Sequence, residues 1–169
     1  MRPLIPTLAA LTLLLAIPSI TFGQARKKAE KDTDEWRYEL EAVGEGKEGT
    51  YVFKVWTYSK RAIVAIEQAK KNAVHGIIFK GYTGKDRIQG RPALASDPNL
   101  VNSKADFFEP FFADGGDYMK FVSNSGDTAP ERLKVGKEYK VGIITSVNVG
   151  ELRKHLEAAG IIKGLGSGF

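Results

Sequence analysis

The chain contains no cysteine. That absence excludes disulfides, thiolate metal sites, cysteine nucleophiles and the lipobox cysteine of a bacterial lipoprotein. Histidine is nearly absent: only His75 and His155 occur. They are far apart and lack HxxxH or HxxE spacing, so they do not suggest zinc. Both read as structural or surface groups at helix ends, where the helix dipole favours a positive ring. No apolar run beyond residue 23 approaches the roughly 20 residues of a membrane span. Nor does one sign of charge dominate: 25 Lys and Arg stand against 20 Asp and Glu, a net +5 mixed along the sequence. A mixed surface of this kind argues against a nucleic-acid protein.

What is present begins at the N-terminus. Arg2 precedes an apolar stretch from Leu4 to Phe22, broken by Pro6, Pro18 and a few hydroxyl residues. Thr21 and Gly23 then occupy the −3 and −1 positions of a cleavage site before Gln24, with a cut after Ala25 as second choice. This is the pattern of a secretory signal peptide over residues 1–23. The short charged region, the Gln24 start and the missing cysteines point to a bacterial periplasm. In residues 24–34, Arg26, Lys27 and Lys28 face Asp32 and Asp34, reading as a solvated, disordered leader. Residues 35–169 are then expected to form a single domain, since a chain near 150 residues can bury about 70% of its unfolded surface without disulfides.

Period-two alternation predicts a hairpin. Trp36, Tyr38, Leu40 and Ala42 alternate with charged residues, the glycines from Gly44 to Gly49 turn the chain, and Thr50 to Tyr58 returns. That second strand is apolar on both faces and reads as central and covered on both sides. Ser59 is expected to cap a helix to about Val74, with an alanine-rich stripe through Ala62, Ala65, Ala69 and Ala73 and with Lys70 and Lys71 opposite. Gly76 is expected to end it before a short buried strand, Ile77–Phe79. Residues 81–103 read as a long loop. A capping box at Ser103–Asp106 opens a helix bearing Phe107, Phe108, Phe111 and Phe112. Asp117–Ser123 reads as a strand, 128–137 as a loop and Glu138–Val147 as the best late strand. Asn148 caps the last helix, which Gly160 ends, and the tail from Lys163 to Phe169 reads as loose. The order β-β-α-β-α-β-β-α predicts an α+β domain: one mostly antiparallel sheet with the alanine-striped helix and two further helices packed on it.

Chemical motifs are thin. Gly81-Tyr82-Thr83-Gly84-Lys85-Asp86 superficially resembles a phosphate loop, but its glycines are too close and Asp stands where Ser or Thr must meet magnesium. Lys80, Lys85, Arg87 and Arg91 still make the loop basic, as an anion site would be. Asp106, Glu109, Asp114 and Asp117 surround the phenylalanine helix without the spacing of a calcium loop. The serines lack a nucleophile-elbow setting. No catalytic residue, metal ligand or cofactor is assigned. The phenylalanine quartet forms one broad aromatic face, which is either core or an exposed contact surface.

The block VWTYSKRAIVAIEQAKKNAVHGIIFKG from Val55 to Gly81, with the endings KVGKEYKVGIITSV and LRKHLEAAGIIKGLGSGF, resembles a family of exported proteins of gut-type Gram-negative Bacteroidota. That family carries no established activity or site residues, so the resemblance transfers none. More remotely, strand, alanine-striped helix, strand is similar to the strand-helix-strand-strand domains of envelope lipoproteins and flagellar assembly factors, although this chain lacks the lipid-bearing cysteine.

The sequence is therefore read as a soluble, periplasmic, non-catalytic protein that binds an envelope protein partner, such as a component of outer-membrane assembly or secretion. Its expected contact residues are Lys85, Arg87 and Arg91 in the loop and Phe108 and Phe112 on the aromatic helix. The alternatives are a small-molecule or anion binding module, and an enzyme using the carboxylates near Asp114.

Overall fold

The computed structural model describes residues 36–59, 62–97, 99–124 and 129–164. The expected signal peptide (1–23), the leader (24–34), Lys60 and Arg61 of the first helix, and Phe169 lie outside these residues.

The chain folds as an α+β domain around one mixed, mostly antiparallel sheet. β1 (Tyr38–Glu45) and β2 (Thr50–Ser59) form the expected hairpin, with a bulge between Ala42 and Gly44. The helix α1 (Ala62–Phe79) follows, then the two-residue β3 (Thr83–Gly84). Next come the short helices α2 (Leu100–Ser103) and α3 (Ala105–Phe112) and a 3-10 turn, Asp117–Lys120. The strands β4 (Val122–Asn124), β5 (Glu131–Val135) and β6 (Glu138–Asn148) lead into α4 (Val149–Ala158). The strand order is β3-β1-β2-β6-β4, with β5 also on β6. β3 runs parallel to β1 and the other pairs are antiparallel.

α1 is the centre of the molecule. Every residue from Lys71 to Ile78 is buried, the mark of a helix enclosed all round rather than lying on a surface. One side packs on β2 and β6, where Phe53, Val55, Val141 and Val147 are inaccessible. α3 covers the other side, bringing the Phe79 and Phe108 rings to 5.0 Å. Lys71 was expected on the solvent face; it is 7% exposed, its ammonium 5.8 Å from the centroid of the Tyr118 ring on the 3-10 turn.

Gly76 does not end this helix. A Cβ there would lie 2.9 Å from Leu40 Cδ2 and 3.0 Å from Tyr38 Cε2, so its lack of a side chain lets the helix approach β1. The terminator is Gly81, at φ +75°, whose N–H returns to the Gly76 carbonyl at 2.8 Å. Ile77–Phe79 are helical, and the expected buried strand there does not exist. The orphan carbonyls of Ile77 and Ile78 accept from the N–H groups of Leu94 and Ala95 at 3.0 and 2.9 Å. The long loop is thereby hydrogen-bonded to the helix end.

Other expectations also change. Asp117–Lys120 is a 3-10 turn with only Val122–Asn124 extended, and residues 131–135 form β5 where a loop was expected. Lys104, not Ser103, precedes α3, with no side-chain cap. Pro110 sits inside α3; lacking an N–H, it removes one rung of the helix ladder. Asn148 caps α4 as expected, accepting from Glu151 N–H at 3.0 Å.

Candidate functional site

The second strand is central but covered on one side only. Its residues Phe53, Val55, Thr57 and Ser59 are buried beneath α1, whereas Val52, Lys54, Trp56 and Tyr58 are half-buried on the opposite face. No described element packs on that face. Strand register places Trp56 opposite Gly142 of β6, and Gly142 opposite Glu131 of β5. Because Gly142 lacks a side chain, the indole lies against the strand: a Cβ there would meet Trp56 Cζ3 at 2.8 Å. Lys54 and Lys140 hold their ammonium groups 4.5 and 5.0 Å from the indole centroid, close enough for cation–π attraction.

Carboxylates from strands two places away fix those lysines. Lys54 Nζ donates to Glu131 Oε1 at 2.6 Å, and Lys140 Nζ to Glu39 Oε2 at 2.8 Å. Tyr58 donates to Glu39 Oε1 at 2.7 Å. Hydrogen bonds from Lys140 and then Tyr58 lower the Glu39 pKa, and Glu39 in turn raises that of Lys140. Each exposed pair contributes only about 0–1 kcal/mol. Their effect is to order a charged rim around one aromatic plate. Toward the outer edge the face becomes apolar, with Leu133 and Val135 53% and 50% exposed.

At the opposite edge, β3 covers β1 only at Glu41 and Ala42. Beside the uncovered part, Tyr38–Leu40, lies an open cavity of about 470 Å³ lined also by Lys80, Gly81, Tyr82, Thr83 and Arg91. Lys80 Nζ donates to the Trp36 carbonyl at 2.8 Å and sits 4.1 Å from the Tyr38 ring centroid. Partial burial holds its pKa below the usual lysine value.

Beneath this edge His75 is sealed. Its ring stacks on Trp36 with centroids 3.3 Å apart, and its Nδ1 lies 2.7 Å from Tyr38 Oη. Burial, and secondarily the Lys80 charge, lower its pKa to about 3; burial raises that of Tyr38. The imidazole is neutral and lies within α1, not at its end. His155, on α4, packs among Phe107, Phe111 and Phe121. Both histidines act in packing.

The expected contact residues divide. Lys85, Arg87 and Arg91 are exposed on the 81–91 loop. Lys85 lies 3.6 Å from Glu41 Oε1, and Arg91 lines the cavity. Phe108 and Phe112, expected as contacts, are 2% and 9% exposed: their helix is the lid of the core, and their rings face Phe79 and Trp36. Asp106, Glu109 and Asp114 are exposed and Asp117 pairs with Lys120 at 2.8 Å, so they supply no buried acid. Among the described residues no group of three His, Asp or Glu could hold a metal ion, and no helix is long and apolar enough to cross a membrane.

Sequence reasoning placed Trp56 within the sheet's packing and did not single out Lys54, Lys140 or Gly142. The available signal was alternation of aromatics with lysine on one face of β2 and a lone glycine within β6. No protein-family model matches the chain, and neither does any curated protein or solved structure.

Proposed function

We propose that this chain is an exported, periplasmic, non-catalytic protein that binds an envelope protein through the open face of its sheet, as an accessory of outer-membrane assembly or secretion. The observation that carries this reading is Trp56, laid against Gly142 between Lys54 and Lys140 on a face no described element covers. Tryptophan is enriched among residues that dominate binding energy, and the apolar patch at Leu133 and Val135 extends the surface. Export rests on the signal-like residues 1–23; the purified envelope form should begin at Gln24, and one beginning at Met1 would remove the compartment from the proposal.

Photocrosslinkers at Tyr58 and Leu133, compared with one at Glu109 on the far side of α1, test the face. A single adduct of constant mass from the first two positions, absent from the third and lost with Trp56→Ala, is expected. Equal labelling from all three positions would overturn the assignment.

A further inference from the structure

We propose that the cavity at the β1 edge binds a small organic anion, a ring-sized molecule carrying a carboxylate or a phosphate, with Lys80 and Arg91 as its cationic contacts. Its volume of about 470 Å³ lies within the usual range of small-molecule sites, about 300–1,000 Å³. Its walls combine two cations with Tyr38, half-buried at the rim, while Leu40 and Tyr82 belong to the core behind it.

The cavity carries uncompensated charge. Among the described residues neither Lys80 nor Arg91 pairs with a carboxylate, whereas neighbouring Lys85 pairs with Glu41. Glu39 reaches the cavity rim, but its carboxylate is engaged by Lys140 and Tyr58 on the open face. Lys80 uses one donor on the Trp36 carbonyl, leaving two for a ligand. Both cations are exposed and solvated; an anion entering the cavity meets them with charge-assisted bonds and no competing carboxylate.

The loop that carries Arg91 is also built to close tolerances. Tyr82 and Arg91 exchange two backbone hydrogen bonds, 2.9 and 3.0 Å long. A Cβ on Gly81 would collide with the Arg91 carbonyl, and one on Gly84 with the Ile88 carbonyl. This backbone holds Arg91 beside Lys80. The site shares Glu39 with the proposed partner face, but its two cations lie outside that face, and either site can fail without the other.

Calorimetric titration of the full chain with glucuronate, glucose 6-phosphate and neutral glucose tests the proposal. Saturable binding of at least one acid, weakened by added salt, is expected, with none for glucose; the two acids distinguish carboxylate from phosphate. Arg91→Met, which changes an exposed side chain, should weaken binding about tenfold, the loss of one charge-assisted hydrogen bond. Lys80→Met should do the same, and Lys154→Met on α4 should not. Circular dichroism checks that each variant is folded. No saturable binding of either acid, equal binding of glucose, or undiminished binding by Arg91→Met would overturn the proposal.

Discussion

The two faces of the sheet are made by the same strands and have opposite character. Beneath α1, Phe53 and Val55 of β2 meet Val141 and Val147 of β6 with no solvent exposure. One residue along each strand, Lys54 and Trp56 meet Lys140 and Ile144 in a half-exposed array ordered by hydrogen bonds and cation–π contacts. Burial holds the first face together and supplies most of the stability. The second keeps large side chains in defined positions without covering them. Such order on an uncovered surface is what binding needs and what stability alone does not require.

The contrast has measurable limits. Phe53→Ala empties a site on the covered face and should cost about 3–5 kcal/mol in urea unfolding; a loss below 1 kcal/mol would show that this face is not the core. His75 comes next. Its folded pKa of about 3 lies below the usual value of 6.5, so the unfolded chain binds the extra proton first. The stability is therefore complete above pH 6.5 and falls as the pH drops toward 3, by up to about 1.4 kcal/mol per pH unit. A His75→Gln variant should show a shallower decline between pH 6.5 and 4.5, and an identical slope would refute the sealed neutral imidazole.

The smallest effect belongs to the open face. Gly142→Ala places a methyl where the indole lies, and a surface tryptophan can swing outward. The cost should be about 1 kcal/mol, at the low end for overpacking, with the Trp56 emission shifting to the red. A loss comparable to that of Phe53→Ala would mean that the two faces are not as distinct as their burial indicates.

The sequence showed this division only in part. Alternation in 36–58 was enough to place the first hairpin, because one of its faces is truly apolar, and Asn148 with Glu151 marked the start of α4. The extent of α1 was hidden, because Gly76 serves close packing against Tyr38 and Leu40, a tertiary role indistinguishable from a cap in one dimension. β5 was missed because all five of its residues are exposed, leaving no buried period to detect. The site was less legible than the fold. Val52 and Trp56 made the outer face of β2 look coverable, and only the register with Gly142 shows that the indole lies flat and open. The phenylalanine quartet had two readings, core or contact, and the position of α3 over α1 selected core. Lys80 belonged to a basic run, but its isolation from carboxylates depends on where β1 and β6 place Glu39.

The register between β2 and β6 also sets an order of assembly. The central strand lies next to β1 across a short turn, yet all ten of its residues, Thr50 to Ser59, pair on the other side with Tyr139 to Asn148. Contacts so distant along the chain form slowly, because a long loop must close before they contribute. While the chain is being made, β1, β2 and α1 can gather early, but one edge of β2 stays unpaired until the final strand emerges. An unpaired, aromatic-rich edge is a template for joining the wrong chain. For this protein the hazard is confined to the interval before residue 148 arrives, and ends when β6 takes its place.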